Sequence, residues 1–193
     1  MGLDTVELIV NTEKYFNVSF SRAELAQLFT VGQLTDAVCK HLSIIQNDTT
    51  ERDVLMSKIA TCLKELSGSK EALNQLDLVT PILPISDKGK WRLLEDRLQL
   101  VLPVPEVGYK QQGLLKKWFP IPETVPYNWA TITLLDLTQA VCLRNFRQLI
   151  HTQKIANTWE VYTVVAGLTV EQSGIDYYFI NHEKSFTTDL GLD

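Results

Sequence analysis

Cys142, His151 and Asp136 have the types of a nucleophile, a base and an orienting acid. Asp136 lies six positions before Cys142 and His151 nine after, a spacing that does not bring all three onto one helical face. Cys39 stands in the same local context as Cys142 without an equivalent histidine, so both thiols read as packing side chains. His41, His151 and His182 lack metal-ligand spacing. Cys39, Cys62 and Cys142 are odd in number and far apart, which suggests neither a zinc site nor a disulfide framework and fits a reducing cytoplasm. No glycine-rich phosphate loop and no pair of catalytic carboxylates is visible, so the expectation is a protein that is not an enzyme and holds no metal. Trp118 and Phe119 beside Lys116 and Lys117 form an aromatic pair flanked by cations. They suit either an acidic partner or membrane surface, or a loop anchored into the core.

These residues must be positioned by a chain of 193 residues, 45% apolar and 21% charged, a composition typical of a folded globular protein. No apolar run reaches membrane-spanning length, and the start, Met1-Gly2-Leu3-Asp4, lacks the pattern of a signal peptide. The net charge of −5 argues against general nucleic-acid binding. The charge is uneven. Five acids oppose three bases in 2–45 and six oppose one in 155–193, which leaves the middle net basic.

The elements read as helices throughout. Val6, Ile9, Val10 and Phe16 fall on one helical stripe, and Asn17 to Phe20 breaks it. Ser21 with Glu24 and Thr30 with Gln33 are capping boxes. The first opens a short helix and the second a medium one with Val31, Leu34, Val38 and Leu42 inward. After the polar linker 46–50, a helix buries Val54, Leu55, Ile59, Cys62, Leu63 and Leu66, and another runs from Trp91 to Leu98. Five prolines between 103 and 126 make regular structure improbable there. Thr133 to Leu149 reads as one amphipathic helix. A further helix from Trp159 to Gln172 has Val161, Val164, Val165 and Leu168 inward and stops at Ser173-Gly174. The remainder reads as a loop with Tyr178 and Phe186 as anchors. No stretch has the alternation and turns of a strand, so the fold class is all-α. Thr30–Cys39 matches Thr133–Cys142 at six of ten positions, an internal repeat.

Two segments resemble the acyl carrier protein family, in reversed order. Ser185-Phe186-Thr187-Thr188-Asp189-Leu190-Gly191-Leu192-Asp193 is similar to the loop leading into that family's Asp-Ser-Leu attachment motif, and Glu171 to Ile175 to the end of its first helix. Leu3-Asp4-Thr5-Val6-Glu7-Leu8 through Phe16 resembles the stretch that comes directly after the motif, and Ser21 to Leu42 the third and fourth helices. The resemblance implies a four-helix bundle built from 1–45 together with 155–193, circularly permuted or completed by exchange of ends between chains. Residues 46–154 would then be an inserted, degenerate helical unit with the Pro-rich loop 103–126.

In this register the phosphopantetheine-bearing serine falls on Gly2, after the acid Asp193, and Gly2 cannot carry an arm. Thr5 has a hydroxyl but lies a turn away. The resemblance therefore implies a module of bacterial fatty-acid or polyketide-type metabolism without an attached cofactor. It would present Asp4, Glu7 and Glu13 to the basic patch of a partner enzyme. The alternative is a structural protein that assembles by exchanging its ends.

Overall fold

The computed structural model describes residues 2–68, 71–105 and 129–192. Within them the chain forms helices α1 (Leu3–Phe16), α2 (Arg22–Leu25), α3 (Val31–Leu42), α4 (Thr50–Ser67), α5 (Lys88–Leu98), α6 (Leu134–Arg144), α7 (Phe146–Leu149) and α8 (Thr158–Ser173). Two isolated antiparallel bridges, Thr30 with Ser185 and Leu78 with Thr133, are the β pairing among the described residues. The fold is all-α. Most of the Pro-rich stretch, with Trp118 and its lysines, and Asp193 lie outside the described residues.

Side chains that satisfy free backbone amides set the starts of α2, α3, α5, α6 and α8. Ser21 and Glu24, Thr30 and Gln33, Thr133 and Asp136, and Asn157 and Glu160 each form a reciprocal capping box. Asp87 accepts from the Lys90 amide and caps α5, which therefore starts at Lys88, ahead of the expected Trp91. Gly68 and Gly174 end α4 and α8 in the left-handed region, at φ +66° and +68°, where a side chain is strained.

Two hydrophobic clusters share α6 and α8. One joins α1 and α3 to α8, with Phe186, Leu190 and Leu192 from the C-terminal segment, and takes in Leu143, Phe146 and Ile150. The other joins α4 and α5 to Trp129 and α6 as far as Cys142, and takes in Trp159 from the start of α8. α8 is buried at every position from Trp159 to Val170, because α1 and α3 pack on it from one side and α6 and α7 from another. The stripe read from the sequence is therefore only part of its buried surface. A helix enclosed all round is the central strut of a core, and each fully buried valine or leucine in it contributes about 1.5–3 kcal/mol.

The internal repeat extends from side chains to the backbone. The Val31 amide donates to Lys184 O (3.1 Å), the Gly32 amide to His182 O (2.8 Å), and the Phe186 amide to Phe29 O (2.9 Å). In the same geometry the Leu134 amide donates to Asp77 O (2.9 Å), the Leu135 amide to Gln75 O (3.0 Å), and the Val79 amide to Ile132 O (3.0 Å). Thr35 and Thr138, one turn into α3 and α6, each close their hydroxyl on the carbonyl four residues back at 2.8 Å. α8 packs on α3 and α1 as α4 packs on α6 and α5. The molecule thus holds the same arrangement twice: a long helix, a strap, a helix, and a capped helix held by the strap. In one copy α8 and the C-terminal segment come from one end of the chain, and α1 and α3 from the other.

Three expectations are corrected. Val6 and Val10 are exposed, and the inner face of α1 is Thr5, Leu8, Ile9, Thr12 and Phe16. Threonine is tolerated there because Thr12 returns its hydroxyl to Leu8 O (2.9 Å), leaving a methyl to pack. Val54 is likewise exposed, while Leu55, Ile59 and Leu63 form the buried line of α4. The helix expected over Thr133 to Leu149 breaks at Asn145. That buried amide accepts from the Val101 amide (2.9 Å) and donates to Val101 O (2.8 Å), a clamp to a distant segment that interrupts the helix.

Candidate functional site

The first turn of α1 faces the end of the C-terminal strap. Gly2 is the N-cap, in extended conformation and with no side chain to cap the helix. Thr5 is buried and its hydroxyl donates to Leu192 O at 2.7 Å, tying the two ends of the chain within one copy. The strap folds tightly before that contact. The Ser185 amide donates to the Asp189 carboxylate (2.8 Å), the Leu192 amide donates to Phe186 O (2.9 Å), and Phe186 and Leu192 are sealed in the core.

Of the acidic residues singled out from the sequence, the structure brings together Asp4 and Glu7. Both are exposed on the outer side of α1, and Glu7 accepts from the Gln172 amide group (3.1 Å). Glu13, six residues further, is turned about 120° from Glu7 at the usual helical pitch. One of its oxygens accepts from the Phe20 amide at 2.7 Å, so it closes the turn after α1. Beside the acids runs an exposed apolar line: Leu3, 79% exposed, with Val6 and Val10, 43% and 36% exposed, the two that the helical pattern placed inside. The signal that could have found it is the pair of threonines, Thr5 and Thr12, whose helical phase matches Leu8 and Ile9 and competes with the valines for the inner face.

The nucleophile-like set does not assemble. The Asp136 carboxylate is spent on the amide and hydroxyl of Thr133 (3.0 and 2.7 Å). Cys142 is buried, and desolvation pushes its thiol up to about 12; burial pushes Cys39 to about 11. His151 is exposed in the segment after α7. Thiols of that basicity are not thiolates at neutral pH. His41 meets the Glu24 carboxylate at 3.0 Å, and His182 stacks on Tyr162 with ring centroids 4.0 Å apart. Among the described residues no three histidines, cysteines or acids gather as a metal site would require.

The clefts among the described residues include two on the surface. One, of about 570 Å³, lies between the strap of the second unit and Trp129, with Ile85, Ser86, Lys88 and Val104 on its walls. The other, of about 360 Å³, lies between α1 and α8, where Arg147 pairs with Glu171 at 2.7 Å beside Tyr15. Among the described residues no helix is long and apolar enough to cross a membrane. Comparison with protein-family models, with curated proteins and with solved structures finds no match to the chain.

Proposed function

We propose that the chain is a docking module on an acyl-carrier-type bundle, serving fatty-acid or polyketide-type metabolism in a bacterial cytoplasm. It acts by binding a partner enzyme and carries no covalently attached acyl group. The observation that carries the reading is the outward face of α1, where Leu3, Val6 and Val10 lie exposed beside Asp4 and Glu7. Such a face suits a basic patch with an apolar centre: opposite charge speeds and orients the encounter, and apolar contact slows its dissociation. The element order supports the same reading. Taken from α8 through α1 and α2 to α3, the helices run long, long, short and medium, with the Ser185–Leu192 strap before the second.

The residues present do not fit a phosphopantetheine arm. Gly2 has no side-chain hydroxyl to bear it, and Thr5, the hydroxyl of the first turn, is buried and committed to Leu192 O. The protein purified from its native host is expected to have the mass of the bare chain. A mass increased by one phosphopantetheine overturns that part of the reading.

The docking itself is tested against the acyl- or polyketide-metabolising enzyme encoded beside this gene. Asp4→Lys with Glu7→Lys is expected to weaken binding tenfold or more, about 1.4 kcal/mol, with an unchanged helical spectrum. Unaltered affinity overturns it.

A further inference from the structure

Helices α1 and α5 hold equivalent places in the two repeated units, each following a strap and packing on the long helix of its own unit, yet their outer faces are opposite in character. On α1 the exposed charges of the first two turns are Asp4 and Glu7, beside Leu3 and Val6. On α5 the exposed charges of the first two turns are Lys88 and Arg92, beside Leu93, which is 42% exposed.

The cations of α5 differ in what they are free to do. Lys90 donates to Ile82 O (3.0 Å), and Arg97 is paired with Glu65. Lys88 and Arg92 make no ion pair among the described residues. Asp96 shares the outer side of α5, one turn beyond Arg92. Lys88 sits in the first helical turn and Arg92 in the second, so the cations lie toward the start of α5 as the acids lie toward the start of α1. The positive end of the α5 dipole adds to the attraction for carboxylates there.

Both faces are exposed in one copy and opposite in charge, so each is open to the other on a second molecule. We propose that α1 of one copy docks on α5 of a second copy, with Asp4 and Glu7 against Lys88 and Arg92 and with Leu3 and Val6 against Leu93. This goes beyond enzyme docking: it assigns a partner to the second unit, and it uses ends that are already closed within each chain. The contact is heterologous, since the patch given differs from the patch received. After one contact the pair keeps one unused patch of each kind, so the product is a head-to-tail chain or a closed ring. Resting on rim charges and a few apolar side chains, it is weak and salt-sensitive.

Sedimentation of the full chain over a range of concentrations in low salt, and again in 0.5 M sodium chloride, tests this. The average mass is expected to rise with concentration in low salt and to fall back toward one chain in high salt. Asp4→Lys with Glu7→Lys abolishes the rise, and so does Lys88→Glu with Arg92→Glu. Mixing the two double variants restores it, since each then offers the complement of the other. A single-chain mass at every concentration overturns the proposal, as does a rise that neither reversal affects. The α5 variant also separates this contact from enzyme docking: it loses self-association and keeps the enzyme, whereas the α1 variant loses both.

Discussion

The ring of Phe146 lies on the bare backbone of Gly167, so closely that a Cβ built on the glycine would stand 2.4 Å from the ring's Cδ1 and 2.8 Å from its Cε1. Phe146 begins α7 and Gly167 lies in the middle of α8, so this contact sets how near the segment after α6 comes to the central helix. Glycine within a helix costs up to about 1 kcal/mol relative to alanine, and here that cost admits an aromatic ring to the core. The second-unit cluster ends on α6 at Cys142, and the first-unit cluster picks up at Leu143 and Phe146. Gly167 therefore helps join the two units.

Gly167→Ala is expected to destabilise the protein although it improves helix propensity. The ring must move away, and overpacking of this kind costs typically about 1–3 kcal/mol, more than the propensity gain. Urea denaturation measures the balance. The companion change Phe146→Ala removes the ring atoms that the new Cβ would meet, so the double variant should lose less than the sum of the two single losses. Additive losses would show that the two residues are not coupled.

Much of this architecture is legible locally. Ser21 with Glu24 and Thr30 with Gln33 declare helix starts because a hydroxyl and a carboxylate or amide three residues apart satisfy each other's backbone. The repeat of Thr30–Cys39 in Thr133–Cys142 is legible for the same reason, since cap and inner face recur together. The inner face of α1 is not, because Thr5 and Thr12 carry polar groups at buried positions and only the fold reveals where their hydroxyls go. The break at Asn145 is hidden too: its partner, Val101, lies 44 residues away. At the candidate site, Asp4 and Glu7 follow from helical spacing, whereas Glu13 is drawn off by the Phe20 amide, which no helical pattern reports.

His182 makes acid sensitivity local to the strap. Its ring is stacked on Tyr162 although the residue is exposed at its edge, and the desolvation there lowers its pKa below the usual 6.5, against a smaller opposing effect of Asp36. The unfolded chain therefore binds the proton more readily than the folded one. The stability tied to neutral His182 is fully present above about pH 6.5 and is lost as the pH falls through that value toward the folded pKa. Melting temperatures at pH 7.5 and 5.5 are expected to fall further for the native chain than for His182→Gln, which lacks the titrating group. Equal falls would place the acid sensitivity elsewhere.

Two threonines of α1 present the same chemistry in different roles. Thr12 bonds Leu8 O, a carbonyl four residues back on its own helix, whereas Thr5 bonds Leu192 O across 187 positions of sequence. Thr12→Val leaves that carbonyl its helical partner, and the change should be small, within about 1 kcal/mol. Thr5→Val leaves a carbonyl beside a sealed Leu192 without its hydroxyl donor, at a cost of about 1–3 kcal/mol, because a buried acceptor loses its solvent as well as its partner. The loss should also be local. Amide exchange is expected to quicken at Phe186 and Leu192, whose N–H groups hold the strap closed, while Leu134 and Val79 in the second unit stay protected. Equal stability of the two valine variants, with unchanged exchange in the strap, would mean that core packing alone joins the two ends of the chain and that the Thr5 hydroxyl adds nothing to it.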